Sequence, residues 1–293
     1  MATVTQAQPT APPSVGPNTQ KIVGRILIYV VLIAIAIVIL LPLVWMVSTS
    51  LKPKSQWFSA QIYWIPKTFT LANYERLFNN GSTPIARWFV NSVGVGAAVT
   101  VLTLFIDSLA AYAYARLEFP GRKIIFAIML ATLFLPGLMF LVPNFLTIYH
   151  VGLLNNYLGV ILPGLAGVFG VFFLRQFFET LPKELEEAAL IDGASSFQIF
   201  YRVVLPLAKG ALATLGIITF LASWNDFLWP LLILQKSDML TLPPGLRTLQ
   251  GAYTSEYGQM MAGAVIAAVP VLILYIGLQR FIVQSVATTG LKG

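Results

Sequence analysis

LPKELEEAALIDGASSFQIFYRVVLP, residues 181–206, is the stretch on which the reading of the whole chain turns. Between Arg175 and Arg202 the acids Glu179, Glu184, Glu186, Glu187 and Asp192 crowd together with Arg175, Lys183 and Arg202, while the chain on either side is mostly apolar. Thr180 is placed to cap a helix, with Pro182 and the three glutamates near its positive end. Gly193 suits the left-handed conformation that ends a helix. Ser195 and Gln198, three residues apart, fit a capping box for a second helix from Ser196 to about Val204. Pro206 then opens the next one, and Ala188 and Ala189 leave room for another backbone to approach. The pattern predicts two short helices at a glycine bend on the membrane surface, gripped by a partner outside this chain. On these features alone, an ordinary polar loop is the equal alternative.

Composition sets the class. The chain has 293 residues, 57% hydrophobic and 10% charged, with a mean hydropathy of +0.80. Soluble domains carry roughly 25% charged residues, and one aqueous core of this size would not hide so much apolar surface. A polytopic helical membrane protein is expected. The net charge of +7 reads as basic loops facing anionic headgroups, because no basic run is interleaved with exposed aromatics as nucleic-acid binding would need. With no cysteine and His150 as the one histidine, disulfides, thiol catalysis and a His-based or thiolate metal site are excluded; His150 reads as an interfacial loop residue.

Taken in order, residues 1–22 form a Pro-rich, aperiodic and disordered tail. Residues 23–52 hold the first span, charge-free between Arg25 and Lys52 and interrupted by Pro42; a membrane helix tolerates such a proline. Residues 53–87 form an extracytoplasmic loop with belt-type aromatics and a short amphipathic piece, Leu71 to Phe78. Residues 88–284 form a core of five further spans. These run about 89–114 with Asp107 inside, 124–142 broken at Pro136-Gly137, 158–178, 206–234 with Trp224-Asn225-Asp226 near its far end, and 260–283. Residues 285–293 are a short tail. Six spans put both termini on one side with the polar stretch, and that side carries most of the 18 Lys and Arg, which favours the cytoplasm. Lys52 and Lys54, close to a membrane end on the other side, weaken the bias. No internal repeat of the kind secondary transporters often carry is visible.

The order Glu187-Ala188-Ala189, three residues, Gly193, nine residues, Val203, one residue, Leu205-Pro206 resembles the Glu-Ala-Ala loop of permeases in ABC importers, with Val203 where isoleucine is usual. Leu51-Lys52-Pro53, Phe69-Thr70-Leu71-Ala72-Asn73-Tyr74, Ala113-Tyr114-Ala115 with Arg116, and Trp224-Asn225-Asp226-Phe227 extend the likeness, closest to maltose-type carbohydrate permeases, over nearly everything after residue 22. The resemblance implies an all-α, six-helix, type I importer permease in a bacterial or archaeal inner or plasma membrane, with both termini cytoplasmic. It implies a second related permease, two ATPase subunits that bind ATP and Mg, and an extracytoplasmic sugar-binding protein. Glu187, Ala188, Ala189, Asp192, Gly193, Leu205 and Pro206 are then the coupling loop between helices 4 and 5. The tail Thr288-Thr289-Gly290-Leu291-Lys292-Gly293 becomes a second ATPase contact.

This chain has no Gly-x-x-x-x-Gly-Lys-Ser/Thr loop to hold nucleotide itself, and Gly94-Val95-Gly96 reads as close helix packing. Candidate pathway residues are Asn91, Tyr112, Asn144, Trp224, Asn225 and Asp226, because sugars are held by hydrogen bonds and stacking; for each, packing is the plainer role. An ionised carboxylate at mid-membrane costs at least ~2.5 kcal/mol on insertion scales, so Asp107 and Asp226 are expected to face protein or water. The competing reading is an ion- or proton-driven carrier with Asp107 and Asp226 as relay groups. An intramembrane enzyme has too few nucleophile–base pairs to be favoured.

Overall fold

A computed structural model describes residues 19–289 apart from 58, 60, 80, 82, 166 and 250–255, with side chains from 22 to 277. Among the described residues all regular structure is helical, without a strand. Helix α1 (Thr19–Ser50) keeps Pro42 inside it and exposes its apolar side chains along most of its length, as a lipid-facing helix does. The expected tail therefore gives way to helix at Thr19, and residues 1–18 lie outside the described residues. After α1 two separated stretches of the resemblance meet. Asn73 on α2 (Ala72–Asn79) donates to the carbonyls of Ser50 (2.8 Å) and Lys52 (2.9 Å), and Thr70 N donates to Leu51 O (3.0 Å). Lys52 is buried with Nζ 4.0 Å from the Trp45 ring centroid.

Helix α3 (Ile85–Arg116) is the post of the fold. At ~1.5 Å per residue its 32 residues reach ~48 Å. One apolar cluster gathers at its start, with Trp88 and Trp224 fully enclosed. A second gathers at its end, where Ala111 and Tyr112 meet Leu174, Phe178, Phe200 and Val204. Gly245, in α13 (Leu242–Arg247), lies so close to the Trp88 indole that an added Cβ would collide with it.

The middle spans are broken. Helix α4 (Arg122–Ala131) passes through single 3₁₀ turns on either side of Leu135-Pro136 into α5 (Leu141–His150), turning 98°. The break expected at Pro136-Gly137 is present, but the helix resumes at Leu141, runs past the expected end at Val142 and takes in His150 as its last residue, because the glycine and proline redirect the chain without ending its apolar run. Helix α6 (Tyr157–Ile161) bends through Pro163-Gly164 into α7 (Val168–Glu179), an interruption that the reading of one span from 158 to 178 missed. After α8 (Glu184–Ile191), α9 (Ser196–Ile199) and α10 (Leu205–Leu207), which build the elbow described below, α11 (Lys209–Trp224) yields to α12 (Leu228–Ile233) across Asn225–Phe227. Helix α14 (Tyr257–Thr289), with Pro270 inside, packs on α1 and α11 and carries helical backbone through the first residues of the expected 285–293 tail; residues 290–293 lie outside the described residues. By length and composition three continuous helices among the described residues are fit to cross a membrane, and as many as six if each bent pair crosses once.

Candidate functional site: an elbow and a cavity

The polar stretch folds as an elbow. Helix α8 (Glu184–Ile191) begins at Lys183, with three glutamates in its first turn facing the positive end of the helix. Thr180 does not cap it. Its hydroxyl donates back to Phe177 O (2.7 Å) at the C-terminus of α7, so the expected N-cap belongs to the preceding helix. At the other end Gly193 adopts φ +81°, its N–H donating to Leu190 O (3.0 Å), while Ala194 N donates to Ala189 O (2.9 Å). These are the two bonds of a Schellman closure. The capping box is complete: Ser195 N donates to Gln198 Oε1 (2.8 Å) and Gln198 N to Ser195 Oγ (3.3 Å). Helix α9 (Ser196–Ile199) widens into a π turn over Phe200–Val204 before α10 (Leu205–Leu207), and the chain then turns 79° into α11. Pro206 has no N–H to offer the Arg202 carbonyl, and that missing donor lies where the helix widens and bends.

Glu187 and Ala188 are exposed, Ala189 is half-buried, and Asp192 and Gly193 lie exposed at the bend. Leu190 (58%), Ile191 (87%), Phe197 (65%) and Tyr201 (65%) leave an apolar surface around them. Glu186 alone among these acids turns inward, to Arg116 at the end of α3.

The second feature is a cavity of about 480 Å³ between α3, α5, α6, α7, α11 and α12. Thr103, Asp107, Asn144, Thr219, Ser223 and Asp226 supply its polar groups, and none of its lining residues is basic. Two of the three bent pairs contribute residues at their breaks, Gly137 from one and Pro163, Gly164 and Gly167 from the other, and Asp226 comes from the separate interruption between α11 and α12. Non-helical backbone at membrane depth is tolerated where it is enclosed by protein or lines a watery space. Asp226 caps its own break, Oδ1 accepting from Trp229 N (3.4 Å). Asp107 is 1% exposed, and neither of its carboxylate oxygens has a hydrogen-bond partner among the described residues. It fits against Gly170, where a Cβ would collide with the carboxylate.

The structure thus brings Asn144 and Asp226 together with Asp107, and leaves the other predicted pathway residues elsewhere. Asn91 spends its amide on the carbonyls of Asp238 (3.0 Å) and Leu240 (2.9 Å). Tyr112 packs on Phe200 near the elbow, ring centroids 5.2 Å apart. Trp224 is buried, stacks on Phe220 and donates to Ala267 O (3.1 Å). The exposed Asn225 returns its amide to Leu221 O (2.8 Å). Thr103, Thr219 and Ser223 were missed; the Pro163-Gly164 pair was the signal that another break lay nearby.

Fold and site define a multi-span helical membrane subunit with a cavity among its broken helices and a rigid polar elbow outside the apolar body. A family model described as binding-protein-dependent transport system inner membrane component matches residues 107–288. The arabinooligosaccharides transport system permease protein AraQ of Bacillus subtilis (strain 168) is 36% identical over 278 residues, covering 94% of this chain and 99% of the relative. The diacetylchitobiose uptake system permease protein NgcG of Streptomyces coelicolor is 35% identical over 263 residues, covering 88% and 86%. A crystal structure of a bacterial ABC transporter that imports the acidic polysaccharide alginate superposes with a TM-score of 0.81 at 25% identity, over 92% of this chain and 99% of that one. The chain belongs to the family of binding-protein-dependent transport system inner membrane components.

Proposed function

We propose that this chain is one permease of an ATP-driven importer for a neutral carbohydrate, and that its elbow, from Glu187 to Pro206, is where an ATPase subunit pushes. The observation that carries the reading is the elbow's construction. Both joints are closed by specific hydrogen bonds, while Leu190, Ile191, Phe197 and Tyr201 stay exposed beside charged residues. An apolar surface on a stiff, water-facing element is suited to a protein partner. Six crossings, with the elbow and both termini in the cytoplasm, give that partner access. ATP and Mg belong to the ATPase subunits, residues 285–293 offer them a second contact, and a second permease and an external binding protein complete the assembly.

The cargo class follows from charge. Asp107 and Asp226 line the cavity without a basic neighbour among its lining residues. A uronate or phosphate ester would find no cation to pair with there, whereas a neutral polyol meets hydrogen-bonding groups. Alternating access then has the elbow tilt α3 and α11 against the partner permease, opening the cavity to one side at a time. Extraction in mild detergent should co-purify a second permease and an ATPase with this chain. If the purified chain alone moved solute into liposomes along an ion gradient without ATP, the carrier reading built on Asp107 and Asp226 would replace this one.

A further inference from the structure

A push on the elbow moves solute only if the elbow is fastened to the membrane helices by more than its two chain connections. The end of α3 supplies the fastening. Arg116, the last residue of α3, places Nε 2.5 Å from Glu186 Oε1 and donates from Nη2 to Leu181 O (2.9 Å). One guanidinium thus grips the first turn of α8 and the backbone leading into it, across 70 and 65 positions of sequence. Both side chains are buried, 7% and 11% exposed. Around it, Arg175 donates to Tyr114 O (3.4 Å), lies 4.1 Å from the Phe126 ring centroid and pairs with Glu179. The other arm of the elbow is held to the same post by apolar contact, Tyr112 against Phe200. Arginine suits this place because its planar fork addresses a carboxylate and a carbonyl together. Its positive charge also suits the C-terminus of α3.

We infer that Arg116 and Glu186 form the clamp that transmits motion of the elbow to α3, so that they position the coupling machinery without touching ATP or cargo. The inference rests on the reading of the elbow as the ATPase contact. It accounts for the inward turn of Glu186 while the adjacent Glu187 faces outward.

The test uses the whole complex in proteoliposomes and reads ATP hydrolysed per solute taken up. Glu186→Gln keeps the shape and removes the charge. Because a single change strands a buried partner and can weaken folding, Arg116→Met with Glu186→Met is the companion, since apolar replacement of both members of a buried pair is tolerated far better than removal of one. Arg116→Lys retains charge without the fork. The clamp predicts that Glu186→Gln and the double variant keep the ATPase bound yet raise the ATP-to-solute ratio by about five-fold or more, with Arg116→Lys in between. A double variant that is stable, holds the ATPase and keeps the wild-type ratio overturns the clamp alone. A wild-type complex in which the elbow meets no ATPase overturns the reading beneath it, and the clamp with it.

Discussion

Gly193 provides a test in which size and backbone conformation separate cleanly. Its φ of +81° is one that L side chains rarely adopt, yet no atom lies within 4 Å of a Cβ built there. A substitution therefore meets backbone strain and no collision. For an ordinary L residue the left-handed conformation costs roughly 1–2 kcal/mol, or about five- to thirty-fold in the population of the bent joint. Helix α8 has 8 residues, well short of the ~12–15 that an isolated helix needs for marginal stability, so its own hydrogen bonds cannot impose the bend. The expected order of coupled uptake is Gly, then Asn, which tolerates this conformation, then Ala, then the β-branched Val. Uptake per ATP in proteoliposomes of the complete complex measures it, with ATPase co-purification as the control for assembly. If Ala equalled Gly, or Asn were as impaired as Val, the bend would not be working as a fixed joint.

Two further predictions concern stability, read as thermal unfolding of the detergent-purified chain. Asn155 holds φ 54° while its Oδ1 accepts from Gln235 N (2.7 Å) and Lys236 N (3.0 Å). Asn155→Gly should lose about 0.5–1.5 kcal/mol with these solvent-exposed hydrogen bonds, and Asn155→Ala more, since it adds strain; equal stability of Ala and Asn would contradict this. Gly170→Ala should destabilise by about 1–3 kcal/mol through overpacking against Asp107. Adding Asp107→Ala should return part of that loss, whereas strictly additive losses would refute the contact.

What could be read from the chain in advance was what is local. Gly193 and the Ser195–Gln198 box were legible because a cap involves only residues within one turn of it. Thr180 misled for a related reason: a threonine before a proline suits either helix, and only the packing of Phe178 into the second cluster decides that it ends α7. The break at Pro136-Gly137 announced itself, but the 98° turn and the resumption to His150 did not, since hydropathy carries no direction. Arg116 and Glu186 are separated by 70 positions, and no periodicity links them. The cavity draws on six helices, so its polar groups read one by one as packing residues; Asn91 and Trp224, equally plausible in sequence, proved to be spent on carbonyls.

An elbow driven by another protein must touch that protein, and the composition of this chain makes the contact directly measurable. The chain has no cysteine, so Ile191→Cys, at an exposed position on the elbow, introduces one unique thiol. A thiol-anchored cross-linker of about one side-chain length, applied to membranes carrying the whole complex, should join this chain to the ATPase subunit, with the yield changing when nucleotide is added. Modification of the same thiol by a membrane-impermeant reagent from outside the cell, with no ATPase adduct, would contradict the account.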